Sequence, residues 1–371
     1  MNGPLYPAAR LHAARIEEHF ARHLADAGPE SPAAGPDART IEALVDAAFW
    51  ASLQREEGYR PEISLAFLPP DRAVRPMLLK DALPLGPRAL ARLAPAVERP
   101  GIHLGVWRLG GELRVWGTTR AVPTFCMVVE VLGPGLLVVK HRTDEDSAKF
   151  RNVAVFAGEQ VKLMRRGTPG LDDAPALLRH LLAPECSGSR DHADDVLLRL
   201  AVSMRAHKRG GTLLVVPAGS ESWRESIVRP IAYAVDPPFG ELADLVREGP
   251  AGHVVELARV VDEIAGLTAV DGATLINDGY ELLAFGVKIG RPDGRPRVER
   301  VMLSEPVEGD RAEVVAAPQL GGTRHNSAAQ FTQDQRDAFA MVASQDGRFT
   351  LLAWSEGDAM VRAHRVEALL L

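Results

Sequence analysis

Only two cysteines, Cys126 and Cys186, occur in the 371 residues of this chain. They form no CxxC pair, which excludes the usual zinc and dithiol redox motifs and any disulfide framework. Cys126 falls in an apolar, strand-like run and reads as a buried thiol, whereas Cys186 lies in a polar stretch. A reducing, cytoplasmic setting is the expectation. Excess positive charge is also lacking: 43 Lys and Arg stand against 49 Asp and Glu, a net charge of −6. That balance argues against general nucleic-acid binding, while leaving room for a local basic cleft. Long apolar runs are missing as well. The most apolar stretch, 126–139, is broken by Glu130 and by Gly133-Pro134-Gly135 and reads as a hairpin. Neither a secretory signal nor a membrane span is expected. There is no internal repeat and no low-complexity tract.

The length favours two domains. Residues 6–27 suit a helix carrying Leu11, Ile16 and Phe20, and a second helix follows Thr40, with Ile41, Leu44, Val45, Ala48 and Phe49 at helical spacing. Short strands are then expected at 62–67, 102–107, 112–116, 124–132, 136–142, 153–157 and 160–165, with a closing helix at 172–182. The Pro-, Gly- and Ser-containing stretch 184–194 reads as the boundary. Beyond it, helix and strand alternate: a helix at 196–206, a buried strand at 211–216, helices at 239–247 and 254–267, a hairpin of 273–276 with 280–287, a turn-rich insertion from Gly290, a helix at 323–333, and paired strands at 338–343 and 349–354. The fold class expected is therefore a two-domain α/β (α+β) chain. Residues 1–185 form helices plus a β-rich unit, and residues 195–371 form a mixed sheet flanked by helices.

Two motifs carry chemistry. Asp271-Gly272-Ala273 stands at the mouth of a strand, where a carboxylate can hold a divalent cation and a residue without Cβ lets a ligand come close. Gly321-Gly322-Thr323-Arg324-His325-Asn326-Ser327 opens a helix, where free amides and the helix dipole favour phosphate, Arg324 adds a charged fork and His325 a second donor. Singly each has a bland reading: Asp-Gly pairs at 278, 293 and 346 are turns, and Thr323 could be an ordinary N-cap. Asp346-Gly347 in particular reads as a type I′ turn. Other candidates are read as structural. His19 and His23 lie on a solvated helix face, His141 and Arg142 are surface residues, Gly133-Pro134-Gly135 is a turn, and Trp107 and Trp116 pack across neighbouring strands.

Taken together, the order of the two motifs, the hairpin between them and the following strand pair make the C-terminal half resemble the diadenylate cyclase superfamily. The strand 211–216 fits that pattern too. The arrangement as a whole resembles the DACNV type, a probable sensor that joins a distinct N-terminal region to a cyclase-like domain. The resemblance implies an activity that condenses two ATP into cyclic di-AMP with Mg²⁺ or Mn²⁺, using facing protomers of a homo-oligomer, under control of an N-terminal sensor domain. It assigns Asp271, Arg324 and His325 to catalysis. Gly272, Ala273, Gly322, Thr323, Asn326, Ser327 and Ser344 would hold the nucleotide, and Asp271 and Asp346 the metal. The sequence departs from the family at Asn326, where a second Arg is usual, and at Ser344-Gln345-Asp346, where Ser-Glu-Glu is usual. The alternatives are a catalytically inactive nucleotide-binding sensor and, third, an interaction scaffold with a vestigial pocket.

Overall fold

Asp37 shows how the first elements begin. Its carboxylate accepts the Thr40 amide at 2.8 Å and caps helix α2 (Ala38–Ser52), and Arg108 holds the same carboxylate at 3.0 Å. A computed structural model describes residues 5–26, 35–55, 58–142, 150–165, 192–249 and 253–371. It divides into two units, Met1–Met164 with Leu371, and Arg165–Leu370. The expected helix at 172–182 and most of the expected boundary at 184–194 lie outside the described residues, as does Cys186.

In the first unit, α1 (Pro7–Asp26), α2 and α3 (Pro87–Leu93) accompany eight strands: β1 (Ile63–Phe67), β2 (Met77–Pro84), β3 (His103–Leu109), β4 (Glu112–Thr119), β5 (Met127–Gly133), β6 (Leu136–Arg142), β7 (Phe150–Ala157) and β8 (Gln160–Leu163). Their order is β2-β4-β3-β1-β5-β6-β7-β8, with β1 and β3 parallel and the other pairs antiparallel. One face packs Ile16, Phe20, Ile41 and Leu44 against Val129, Leu137 and Phe156, and the other carries a smaller core around Leu68, Trp116, Cys126 and Val128. Cys126 is buried, which pushes its thiol up to about 12.

Several expectations for this unit are corrected. Leu11 is exposed, while His19 and His141, read as solvated, are buried and stand 6.3 Å apart beside Phe20. The amphipathic pattern of α1 hides this, because the histidine lies on the edge of its apolar stripe. The side chain of His23 is outside the described residues. Trp107 and Trp116 pack with the same small core: Trp107 lies on Phe67, and Trp116 covers Gly105 of the neighbouring strand, where a Cβ would fall 1.9 Å from the indole. β2 and α3 lack a sequence signal strong enough to be expected.

The second unit is a nine-stranded mixed sheet. Its elements are α4 (His192–Ala206), β9 (Gly211–Val216), β10 (Tyr233–Phe239), α5 (Glu241–Glu248), α6 (Val254–Leu267), β11 (Ala273–Asn277), β12 (Leu282–Val287), β13 (Arg300–Ser304), β14 (Glu313–Ala316), α7 (Thr323–Asp334), β15 (Phe339–Ala343), β16 (Phe349–Ser355) and β17 (Met360–Arg365). The order is β10-β12-β11-β9-β15-β16-β17-β13-β14. β9 lies near the centre and is buried on both faces. Leu213 and Val215 enter the core made with α4, α5 and α6, and Leu214 and Val216 enter the core that includes Ala328 and Phe331 of α7. The insertion after Gly290 is not simply a loop: it contributes β13 and β14 to one edge of the sheet.

Both hairpin turns near the motifs differ from a two-residue type I′ turn. In the β15–β16 hairpin the Gly347 amide donates to the Ser344 carbonyl at 3.2 Å, and the Ser344 amide to the Arg348 carbonyl at 2.9 Å. Only Gly347 has positive φ, +87°, so the loop has three residues and closes on a left-handed glycine. The β11–β12 hairpin repeats the plan, with Tyr280 rather than Gly279 in the left-handed position, φ +68°.

Candidate functional site

Sheet register assembles the site. β9 and β11 run parallel, so their N-terminal ends share one rim. β15 is antiparallel to β9, with Ala343 opposite Gly211, and β12 is antiparallel to β11, with Val287 opposite Ala273. The C-terminal ends of β12 and β15 therefore emerge at that same rim, and the first turn of α7 joins them. The result is a cleft of about 650 Å³ lined by Asp271, Gly272, Ala273, Lys288, Gly322, Thr323, Arg324, His325, Ser327, Ser344 and Gln345, with Thr212, Val287, Ile289 and Ala343. The two motifs, separated by half a hundred residues of chain, thus meet in one space.

Asp271 stands at the mouth with its side chain 91% exposed, open to a ligand. The Lys288 ammonium donates to its Oδ2 at 2.5 Å. That hydrogen bond and charge, with a smaller contribution from Arg324, hold the carboxyl below the ordinary aspartate range. Lys288 is the residue that sequence reasoning missed. Its only signal is its place one step past β12, which matters once Val287 is known to face Ala273.

Gly272 has φ +124°, and a Cβ there would meet the Gly286 carbonyl carbon at 2.4 Å. The close approach that demands glycine is therefore to the neighbouring strand. Gly322 is different: it is the N-cap of α7, its φ of −73° suits any residue, and a Cβ would meet nothing within 4 Å. Thr323 is the first helical residue and not the N-cap, and no side chain caps this helix. The amides of the first turn and the positive end of the helix dipole are thus left open to an anion.

Arg324 has no carboxylate partner among the described residues, and its guanidinium reaches to Gly210, whose Cβ would lie 3.4 Å from Nη1. Burial first, then the Arg209 and Arg324 charges, lower the pKa of His207. His325 is buried, and burial first and the Arg365 charge second lower its pKa, so the imidazole is neutral at pH 7. Its Nε2 lies 3.3 Å from Thr350 Oγ1, and its other edge fills the space that a Cβ on Gly321 would need. His325 shapes the wall of the cleft and brings no positive charge to it.

Asn326 and Asp346 are not brought in. The Asn326 amide donates back to the Gly322 carbonyl at 3.3 Å. Asp346 lines a separate shallow hollow with Arg205 and Lys208 and pairs with Arg348 at 3.4 Å. Burial pushes its carboxyl up, but the Ser344 hydroxyl and the Arg348 amide and charge outweigh that and keep it below the usual range. The reason is the three-residue turn, which carries Asp346 past the rim. Asp271 is left as the one carboxylate of the cleft lining, and among the described residues no group of three His, Cys, Asp or Glu is placed to hold a metal. The residues present do not fit a divalent cation held by the protein alone.

Comparison with known proteins adds the following. Residues 30–120 match the family model described as "Probable sensor domain DACNV". No curated protein matches the chain. Among solved structures, a hypothetical membrane spanning protein from Bacillus cereus is 14% identical, with 46% of this chain and 63% of that one covered and a TM-score of 0.28. This chain thus spans under two thirds of that relative's length. A double mutant of DacA from Staphylococcus aureus is 13% identical, with 48% and 89% covered and a TM-score of 0.26. Among the described residues no helix is long and apolar enough to cross a membrane, which leaves strand-built spans unaddressed. By sequence, residues 30–120 of this two-unit α+β chain are thus similar to the DACNV probable sensor domain.

Proposed function

We propose that the second unit is a nucleotide-binding module of the diadenylate-cyclase type, which takes ATP or a related nucleotide by its phosphates, and that the first unit supplies the sensor. One observation carries this: Arg324, which has no carboxylate partner among the described residues, stands on the uncapped first turn of α7 in the same cleft as Asp271 and Lys288. Arg324, Thr323, Ser327 and the open amides of α7 take the phosphates, Lys288 adds charge, and Gly322 leaves room for them. Ser344 and Gln345 border the other side. The match of residues 30–120 to a probable sensor domain supports a signalling role.

The test is a thermal-shift titration with ATP. At about 100 times Kd, ATP stabilises a one-site protein by about 2.7 kcal/mol. Arg324→Ala should weaken binding about tenfold or more, since a hydrogen bond to a charged group contributes about 1.5–3 kcal/mol. An absent shift with every nucleotide tried would end this reading.

A second reading is favoured by the exposed carboxylate of Asp271 at the cleft mouth. It is the cyclase itself, working as facing protomers. It predicts cyclic di-AMP from ATP by mass spectrometry, abolished in Asp271→Ala, and a protein that sediments as a dimer or larger. ATP binding without product leaves the sensor reading standing alone.

A further inference from the structure

Polyphosphate sites usually bring a divalent cation between the phosphates and a protein carboxylate. Here the carboxylate that would face such a cation already accepts a hydrogen bond from a side-chain ammonium. The single carboxylate of the cleft lining, Asp271, carries the Lys288 ammonium at 2.5 Å. Ala273 and Val287 are paired across β11 and β12, so Lys288, one step outside that pair, lies opposite Gly272 and diagonal to Asp271 at the rim. Lys288 is half-exposed and is reached from the same cleft as Thr323 and Arg324. The charged side chains of the lining are thus two cations and one anion, a surplus that suits an uncoordinated phosphate chain. The other carboxylate expected to hold metal, Asp346, is turned away and paired with Arg348. Lysine serves as a point charge for phosphate, so the substitution of an ammonium for a metal ion is chemically sound.

We propose that Lys288 stands in for the divalent cation, bridging Asp271 and the phosphates, so that this cleft binds nucleoside polyphosphate free of metal. The inference rests on the nucleotide-binding reading and deepens it: the ligand class becomes the uncomplexed triphosphate or diphosphate, and free Mg²⁺ becomes a competitor for that ligand.

The experiment is calorimetric titration of the full chain with ATP, once in EDTA and once with MgCl₂ in excess of nucleotide. Wild type should bind in EDTA as tightly as with Mg²⁺ or more tightly. Lys288→Met should lose about tenfold or more in EDTA, the value of one charge-assisted phosphate contact, with Mg²⁺ restoring part of the loss. Lys288→Arg should keep the wild-type pattern. Because the Lys288 side chain is 55% exposed, these variants are expected to fold, which circular dichroism checks. Wild-type binding about tenfold weaker in EDTA than with Mg²⁺ overturns the inference and leaves the nucleotide reading intact. So does a Lys288→Met protein that binds ATP like wild type in both buffers. No binding by wild type in either buffer removes both.

Discussion

Gly272 and Gly322 stand in the two motifs, but a methyl group would be received differently at each. At Gly272 it would strike the Gly286 backbone at 2.4 Å, in a left-handed conformation that side chains resist. Gly272→Ala should therefore destabilise the protein by about 3 kcal/mol, combining backbone strain with overpacking, as read by urea unfolding. At Gly322 the methyl meets nothing, so Gly322→Ala should stay within about 1 kcal/mol of wild type, the ordinary difference at an N-cap. It should still weaken nucleotide binding, because the space it fills belongs to the ligand. Equal stability losses in the two variants would contradict this division of roles. The sequence made both glycines visible but could not separate them. What separates them is the neighbouring strand: Gly286 of β12 lies against Gly272, and nothing lies within 4 Å of a Cβ at Gly322. Lys288 and His325 show the same limit. A lysine after an apolar strand is unremarkable until the fold brings it to Asp271, and a histidine in a helical first turn looks exposed until Thr350 is found beneath it.

Elements with strong periodicity were legible: α6, β9 and the β15–β16 pair fall within a residue or two of where apolar spacing puts them, and α7 does so where a glycine pair opens it, whereas α2 ends at Ser52, well short of the Gly58 expected just past its end. Those built from mixed residues were not. β10 contains Pro237 and Pro238, β2 is largely exposed, and β13 and β14 occupy an edge of the sheet where one-sided burial leaves little pattern. Their place is fixed by tertiary contacts such as Gln330 of α7. Its Oε1 accepts the Val298 amide at 2.9 Å and its Nε2 donates to the Pro296 carbonyl at 3.1 Å, which staples the insertion to the helix. Gln330→Leu leaves a buried amide without its acceptor and should cost about 2 kcal/mol, measured by chemical denaturation. A neutral effect would mean that the staple is dispensable.

At the scale of the whole molecule, a buried histidine in each sheet sits beside a serine on a parallel neighbour. His103 Nδ1 lies 2.7 Å from Ser64 Oγ, and His364 Nδ1 lies 2.8 Å from Ser304 Oγ. Burial first, then the nearby charges, among them Lys140 for His103 and Arg362 for His364, hold both imidazoles down to about 4 against an ordinary 6.5. The sign follows. Above pH 6.5 neither state binds the proton and stability is full. As the pH falls from 6.5 toward 4, the unfolded chain takes up protons that the folded chain refuses, and stability declines. Each histidine should contribute a loss of about 3 kcal/mol across that window. Urea midpoints measured from pH 7 to pH 4 should fall, and His364→Gln should fall less steeply. A flat profile would show that the buried rings accept protons at no cost. The two-unit α+β architecture was legible at this scale from composition and spacing, but the strand order was not. β9 meets β15 across more than a hundred residues of chain, and no local signal announces such a meeting.

The rim that carries the cleft is drawn from five separated stretches, around Thr212, Asp271, Lys288, Arg324 and Ser344. No peptide cut from this chain holds more than a fraction of it, and no loop can be transplanted to carry it elsewhere. Occupancy and wholeness of the sheet are therefore one event. Any partial opening that parts β15 from β9 disperses the site, so a bound ligand guards the entire second unit against fraying and its release leaves every strand of that rim equally exposed to the consequence.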